Sequence, residues 1–212
     1  GTDKICAVRE VEEALEMKRH WPDAVLFGER GGRPPAGFDY GNSPEEAACA
    51  GGRSVIFTTT TGVSRLISAS GAFAAVMATT VNGAALLSFL QQTDAAEAVI
   101  IPAGLAGDPG FDAQEDWTAA VWLAGLCLEH PAPGAVFSLG EGAEAFRRYQ
   151  ERISKEGLSG LFHSAPHAAR LRAISMEKDI DFCARTNICS ALPIACGRRG
   201  TGVLLRAWRP AG

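Results

Sequence analysis

The sequence predicts an α/β fold, a three-layer α/β/α arrangement around a largely parallel or mixed sheet, on three observations. Short apolar runs alternate with helical patterns through the first half of the chain. The runs have the length and β-branched content of strands buried on both faces. Polar residues or glycines follow the runs, as at the carboxyl ends of a parallel sheet.

The elements follow in order. Residues 4–8 read as a short strand. Over residues 10–20, Val11, Ala14, Leu15 and Lys18 recur at helical spacing with Glu12, Glu13 and Glu16 towards water, predicting an amphipathic helix that Trp21 and Pro22 end. Apolar runs at 24–27, 55–57, 74–78 and 99–101 read as buried strands. Helical patterns occupy 44–50, 62–70, 83–92 and 114–129, then 141–155, 168–174 and 177–184. Residues 203–208 suit an edge strand. No internal repeat interrupts this order, so residues 1–212 are expected to form a single domain, with a subdomain joint near the Gly-Pro punctuation at 131–134.

Composition narrows the function. At 212 residues and 47% hydrophobic content the chain can bury a substantial core. Lys plus Arg total 20 against 24 for Asp plus Glu, a net charge of −4 with no basic run, which argues against a nucleic-acid partner. The six cysteines form no C-x-x-C pair and are expected to be buried thiols of a cytoplasmic protein. The most apolar window, residues 119–128, is about half of the roughly 20 residues a bilayer span requires, so no membrane partner is expected. Self-association into a homo-oligomer is left open.

In a parallel sheet the ligand site lies beyond the carboxyl ends of the strands. Four runs would deliver polar ends to one crevice: Gly28, Glu29, Arg30, Gly31 and Gly32; Thr58, Thr59, Thr60, Thr61 and Gly62; Thr79, Thr80 and Asn82; Ala103 and Gly104. Between a strand and a helix, residues 58–62 could cradle an anion, or one threonine could simply cap the helix. Ser43, Pro44 and Glu46 read as a helix start with a capping box, whereas Asp39 and Asn42 lie before it in a glycine-rich turn where a carboxylate could reach a metal ion. Asn42 and Asn82 also suit ordinary turn and cap roles. Glu115 and Asp116 open a helix, where the dipole favours acids, but beside a phosphate cradle they are the hard ligands Mg²⁺ takes. Arg30 and Arg33 could hold a phosphate or sulfonate, or form surface ion pairs. His163 and His167 lack an H-E-x-x-H context, and neither a G-x-S-x-G elbow nor a Walker A loop is present.

GERGG at 28–32, GFDYGNSPEE at 37–46, TTTTG at 58–62, TTVNGAAL at 79–86, PAG at 102–104, QEDWTAAVWLAG at 114–125 and DIDFCARTNICSALPIA at 179–195 resemble, in order and spacing, the 2-phosphosulfolactate phosphatase family. The resemblance spans essentially the whole chain and implies a three-layer α/β fold. It also implies a magnesium-dependent acid phosphatase that converts (2R)-2-phospho-3-sulfolactate to 3-sulfolactate and phosphate, a step towards coenzyme M. Carried over by motif, it places Glu29, Arg30, Asp39, Gly41, Asn42, Ser43, the 58–62 run, Asn82, Gly104, Glu115 and Asp116 in the site. The mechanism expected has Mg²⁺ held by some of Asp39, Glu115 and Asp116, with Arg30 and the amides of residues 58–61 binding the other phosphate oxygens and water attacking. Asp39, Arg30 and Asp116 are then the catalytic candidates.

Two departures from the family pattern qualify this. Thr61 and Val63 replace an amide and a hydroxyl of the usual TTTNGT run. The family's opening strand, with its D-V-L-R-A-like turn, is expected to be missing, because 27 residues precede Gly28. The alternatives are a truncated or diverged, non-catalytic binder of a small phosphorylated or sulfonated acid, or a phosphatase for another small phospho-acid.

Overall fold

In a computed structural model that describes residues 2, 4–93, 97–104, 113–131, 138–140 and 142–209, the chain divides into two compact units. The first comprises residues 1–77 and 193–207, the second 78–192 and 208–212. The joint expected near 131–134 lies, beyond Pro131, outside the described residues.

The first unit is built on a five-stranded mixed sheet of order β2-β3-β1-β5-β4. Strands β1 (Ile5–Ala7), β2 (Val25–Gly28) and β3 (Val55–Thr58) run parallel, with Cys6 and Leu26 flanking Ile56 in register. β5 (Gly202–Trp208) is antiparallel to β1, pairing Leu204 with Cys6, and β4 (Leu192–Arg199) lies outside it. Successive side chains point to opposite faces, so each strand feeds two cores. On one face Cys6, Val8, Leu26, Ile56 and Leu204 pack with Ala14, Leu15 and Met17 of α1 (Val11–His20). On the other, Ile5, Ala7, Phe57, Val203 and Leu205 pack with Val63 and Leu66 of α2 (Gly62–Ala69). Helices on both faces of a mixed sheet give the α/β layering that the strand-helix alternation predicts.

Local chemistry fixes the helix ends. Glu13 Oε2 accepts the Arg9 and Glu10 amides at 3.1 Å each, satisfying donors at the α1 N-terminus. Glu12 and Glu13 in the first turn and Lys18, Arg19 and His20 in the last complement the helix dipole. Gly28 is required by close approach: a Cβ there would lie 2.4 Å from the Thr58 carbonyl oxygen.

The second unit is helical: α3 (Gly83–Gln91), α4 (Gln114–Glu129), α5 (Ala143–Ser164), α6 (Pro166–Ala173) and α7 (Glu177–Cys183). Gly157 interrupts α5 with φ 71°, a conformation glycine adopts without steric cost. Val121 of α4 packs with Phe146 and Tyr149 of α5, and Trp117 stacks on Tyr149 at 6.1 Å. Asn187 Oδ1 accepts the Ala84 amide at 2.7 Å, so a residue 103 positions away caps α3.

Several expectations are corrected. Residues 74–78 form no strand; Val76 makes one antiparallel bridge to Ile194. Residues 99–101 are also not a strand, and Val99 is 72% exposed, because β-branched content gives a strand only where a partner covers it. Strand β5 is interior rather than an edge. The edge on that side of the sheet is β4, which the sequence hides behind Pro193 and Gly197, residues an edge tolerates. The 44–50 helix is a 3-10 turn at Glu46–Ala50. Only Cys6 and Cys127 are buried; Cys49, Cys183, Cys189 and Cys196 are exposed, and all six are free. No helix among the described residues is long and apolar enough to cross a membrane.

Candidate active site

The carboxyl ends of the three parallel strands carry Arg9, Glu29 and the threonine loop, all in the first unit. After β2 the chain turns back through Arg30–Gly31–Gly32–Arg33. Arg30 and Arg33 exchange backbone hydrogen bonds at 2.9 and 3.4 Å, and Gly31 and Gly32 have φ of 63° and 79°. Positive φ at both central positions is why two glycines stand there.

Glu29 joins this turn to the threonine loop. Its Oε1 accepts the Thr60 amide at 2.9 Å and the Thr60 hydroxyl at 2.8 Å, while Oε2 accepts the Gly32 amide at 3.0 Å. Burial alone would raise the Glu29 pKa, but these bonds and the Arg30 charge outweigh it and hold the carboxyl below its ordinary range. Arg30 donates from Nη1 to its neighbour's carbonyl, Glu29 O, at 2.7 Å. Its Nη2 donates to Arg9 O at 2.8 Å and to Thr58 Oγ1 at 3.1 Å. Thr58 is fully buried and its hydroxyl donates to Arg9 O at 2.8 Å, so it orients Arg30. Thr59 Oγ1 accepts the Val63 amide at 3.2 Å, the cap expected of one threonine. The Thr61 and Gly62 amides, which open α2, take no partner among the described residues.

The segment 39–41 runs along the outer edge of β2. Asp39 and Tyr40 donate their amides to Leu26 O, and Asp39 Oδ2 accepts the Leu26 amide at 2.8 Å, covering groups that a sheet edge leaves open. Asn42 is exposed. Ser43 is buried, and its hydroxyl accepts the Glu45 amide at 3.2 Å, as a helix start predicts. Glu46 reaches back to the Gly41 amide at 2.8 Å.

The remaining expected residues belong to the second unit. Asn82 is buried; its Oδ1 accepts the Thr79 amide at 2.8 Å and its Nδ2 donates to Ala191 O at 3.2 Å, which is cap and tether chemistry. Gly104 abuts the start of α4: a Cβ there would lie 2.2 Å from Ala113 Cβ and 3.7 Å from Asp116 Oδ2. Glu115 and Asp116 are adjacent in the first turn of α4. Burial and the Glu115 charge push the Asp116 pKa up to about 6, against a smaller opposing effect of His167. Thr118 is fully buried on the same helix, with no partner for its hydroxyl among the described residues.

The Glu115–Asp116 pair is the donor set that fits Mg²⁺: hard oxygens, partly desolvated, with a mutual repulsion that a dication relieves. No group of three or more His, Cys, Asp or Glu side chains is assembled around a metal position among the described residues. Mg²⁺ commonly takes one or two carboxylates and completes its shell with water and substrate oxygens.

Two residues were missed from the sequence. Arg9 follows β1, and the strand-end rule applied to residues 4–8 would have pointed to it. His167 is placed where it opposes the rise in the Asp116 pKa, yet its neighbours in sequence suggest only a failed zinc motif.

A family model described as 2-phosphosulpholactate phosphatase matches residues 1–197. A protein of Thermus thermophilus named probable 2-phosphosulfolactate phosphatase is 31% identical over 212 residues, covering 97% of this chain and 84% of its own length. Relatives bearing the same name from Deinococcus radiodurans and Carboxydothermus hydrogenoformans are 30% and 29% identical, covering 91% of this chain and 78% and 76% of their own lengths. The GERGG turn, the threonine loop and the Glu115–Asp116 pair thus sit in a chain matched along nearly all its length, and that chain belongs to the 2-phosphosulpholactate phosphatase family of phosphoric monoester hydrolases.

Proposed function

We propose that the chain hydrolyses (2R)-2-phospho-3-sulfolactate to 3-sulfolactate and phosphate with the help of Mg²⁺. The observation that carries the reading is Arg30, held by Arg9 O, Thr58 Oγ1 and Glu29 O at the parallel strand ends, beside amides at the start of α2 that take no partner among the described residues. Substrate and product are small and strongly anionic. Arg9, Arg30 and Arg33 supply positive charge at these strand ends. The three bonds Arg30 makes to protein leave its Nε proton and one Nη1 proton for a phosphoryl oxygen, in a side chain already fixed in direction. The Thr61 and Gly62 amides would bind further oxygens at the positive end of the helix dipole. Preorganised donors of this kind stabilise charge that spreads over a transferring phosphoryl group without reorganising during the reaction.

Glu115 and Asp116 would hold the Mg²⁺, which when bound supplies Lewis acidity and an activated water. Asp39 keeps one carboxylate oxygen that the Leu26 amide does not use and is the first unit's acidic candidate. Steady-state kcat/KM for 2-phospho-3-sulfolactate against phospholactate and phosphoglycolate tests the assignment. A preference of at least about tenfold for the sulfonate is expected. Equal rates on all three would move the assignment to another small phospho-acid, and phosphate binding without turnover would make the chain a binding module.

A further inference from the structure

We infer that Glu29 is a positioning residue: its carboxylate ties the Arg30–Arg33 turn to the threonine loop and so sets where the Arg30 guanidinium stands relative to the amides that open α2. The inference rests on the reading that these strand ends bind phosphate. Glu29 reaches the Gly32 amide 3 positions away and the Thr60 amide and hydroxyl 31 positions away, with all three bonds between 2.8 and 3.0 Å. The Glu29 amide also donates to Thr58 O at 3.2 Å, so backbone and side chain bind the same loop. The two loops therefore share one anchor.

Other roles fit this geometry poorly. An ionised carboxylate offers about four lone-pair sites, and three are already taken by protein donors, which leaves one site on Oε2 and no bidentate position for a metal ion. A proton-transfer group works best with a pKa near the operating pH, whereas these bonds favour the ionised form of Glu29. By accepting the Thr60 amide, Glu29 also removes it from the set a ligand could use, leaving the Thr61 and Gly62 amides as the loop's contribution.

Substitution chemistry follows. Glutamine has one acceptor oxygen, so in Glu29→Gln its NH₂ must face a backbone N–H, donor against donor, at one of the two loops. Aspartate keeps the charge but is one methylene too short to reach both. Thr60→Val removes the hydroxyl bond and leaves the amide bond in place.

The test uses the full chain. Amide hydrogen exchange of Gly32 and Thr60 is measured by NMR in the parent, Glu29→Gln, Thr60→Val and the double variant. Calorimetry on the same proteins follows inorganic phosphate and, separately, Mg²⁺. Glu29→Gln is expected to speed exchange at both amides together and to weaken phosphate binding by about tenfold or more, with Mg²⁺ affinity within about twofold of the parent. Thr60→Val, the milder change, is expected to weaken phosphate less, and its effect should largely vanish in the Glu29→Gln background. Lost Mg²⁺ binding in Glu29→Gln would make Glu29 a metal ligand and overturn the inference. Faster exchange with unchanged phosphate affinity would make it a purely structural tie, and additive effects in the double variant would deny the shared anchor. Because these readouts need no substrate turnover, a failure of the sulfolactate assignment leaves a distinct signature: phosphate binding that responds to Glu29 in a chain with no activity on the sulfonate ester.

Discussion

Gly28 and Thr58 face each other in register on β2 and β3 so closely that a methyl group on Gly28 would fall 2.4 Å from the Thr58 carbonyl oxygen. The obstruction is backbone, which cannot rotate away. Gly28→Ala is therefore expected to destabilise the fold by about 1–3 kcal/mol, read as a lower urea midpoint with an unchanged m-value. A neutral substitution would mean that the strands separate without cost.

Arg30 is held by three acceptors and is a planar fork, so lysine is not a conservative replacement. Arg30→Lys is expected to lower kcat/KM on the order of 100-fold while leaving the circular dichroism spectrum and thermal midpoint close to the parent's. Steady-state kinetics on a soluble, folded variant decides it.

Asp39 serves the β2 edge through one oxygen, and asparagine can accept the Leu26 amide equally well. Asp39→Asn should therefore keep stability within about 0.5 kcal/mol while losing activity, because only the charge is removed. Full activity in Asp39→Asn would confine Asp39 to the strand edge.

Asp116 gives a pH-dependent outcome. Its folded pKa of about 6 exceeds the ordinary aspartate value, so in that window the folded state binds more protons than the unfolded state. The contribution to stability is thus fully present below about pH 4 and is lost as pH rises through about 6. Asp116→Asn should match the parent at pH 4 and exceed it at pH 7 by about 3 kcal/mol, a shift of about two pK units at about 1.4 kcal/mol each. Adding Mg²⁺ at pH 7 should raise the parent's thermal midpoint and narrow that gap. A parent and variant with parallel pH profiles would contradict the burial and repulsion assigned to Asp116.

Much of this fold was legible in the sequence because local signals agreed with the tertiary result. The 114–129 pattern gives α4 residue for residue, and β1, β2 and β3 fall within a residue or so of the expected runs. The failures share a cause. Residues 99–101 look like a strand by composition, and β4 does not, because pairing partners rather than propensity decide both. In the site, the glycine turn and threonine loop could be read from strand ends, and Ser43 from its cap. The division of labour within them could not. Nothing in the letters of GERGG or TTTTG says that Glu29 and Thr60 bind each other, that Thr58 is buried to orient Arg30, or that Arg9 offers its carbonyl to both. Those relations join positions between 21 and 49 residues apart, a separation that motif spacing does not encode.

The most direct measurement is phosphate release from (2R)-2-phospho-3-sulfolactate by the full chain, assayed as prepared, after chelation, and after Mg²⁺ is restored, beside Glu115→Gln and Asp116→Asn. The expected result is turnover that chelation abolishes and Mg²⁺ restores in the parent, with both variants reduced by about 100-fold or more at saturating Mg²⁺. Release that persists at the same rate after chelation, or in both variants, would contradict the assignment of Mg²⁺ to the Glu115–Asp116 pair.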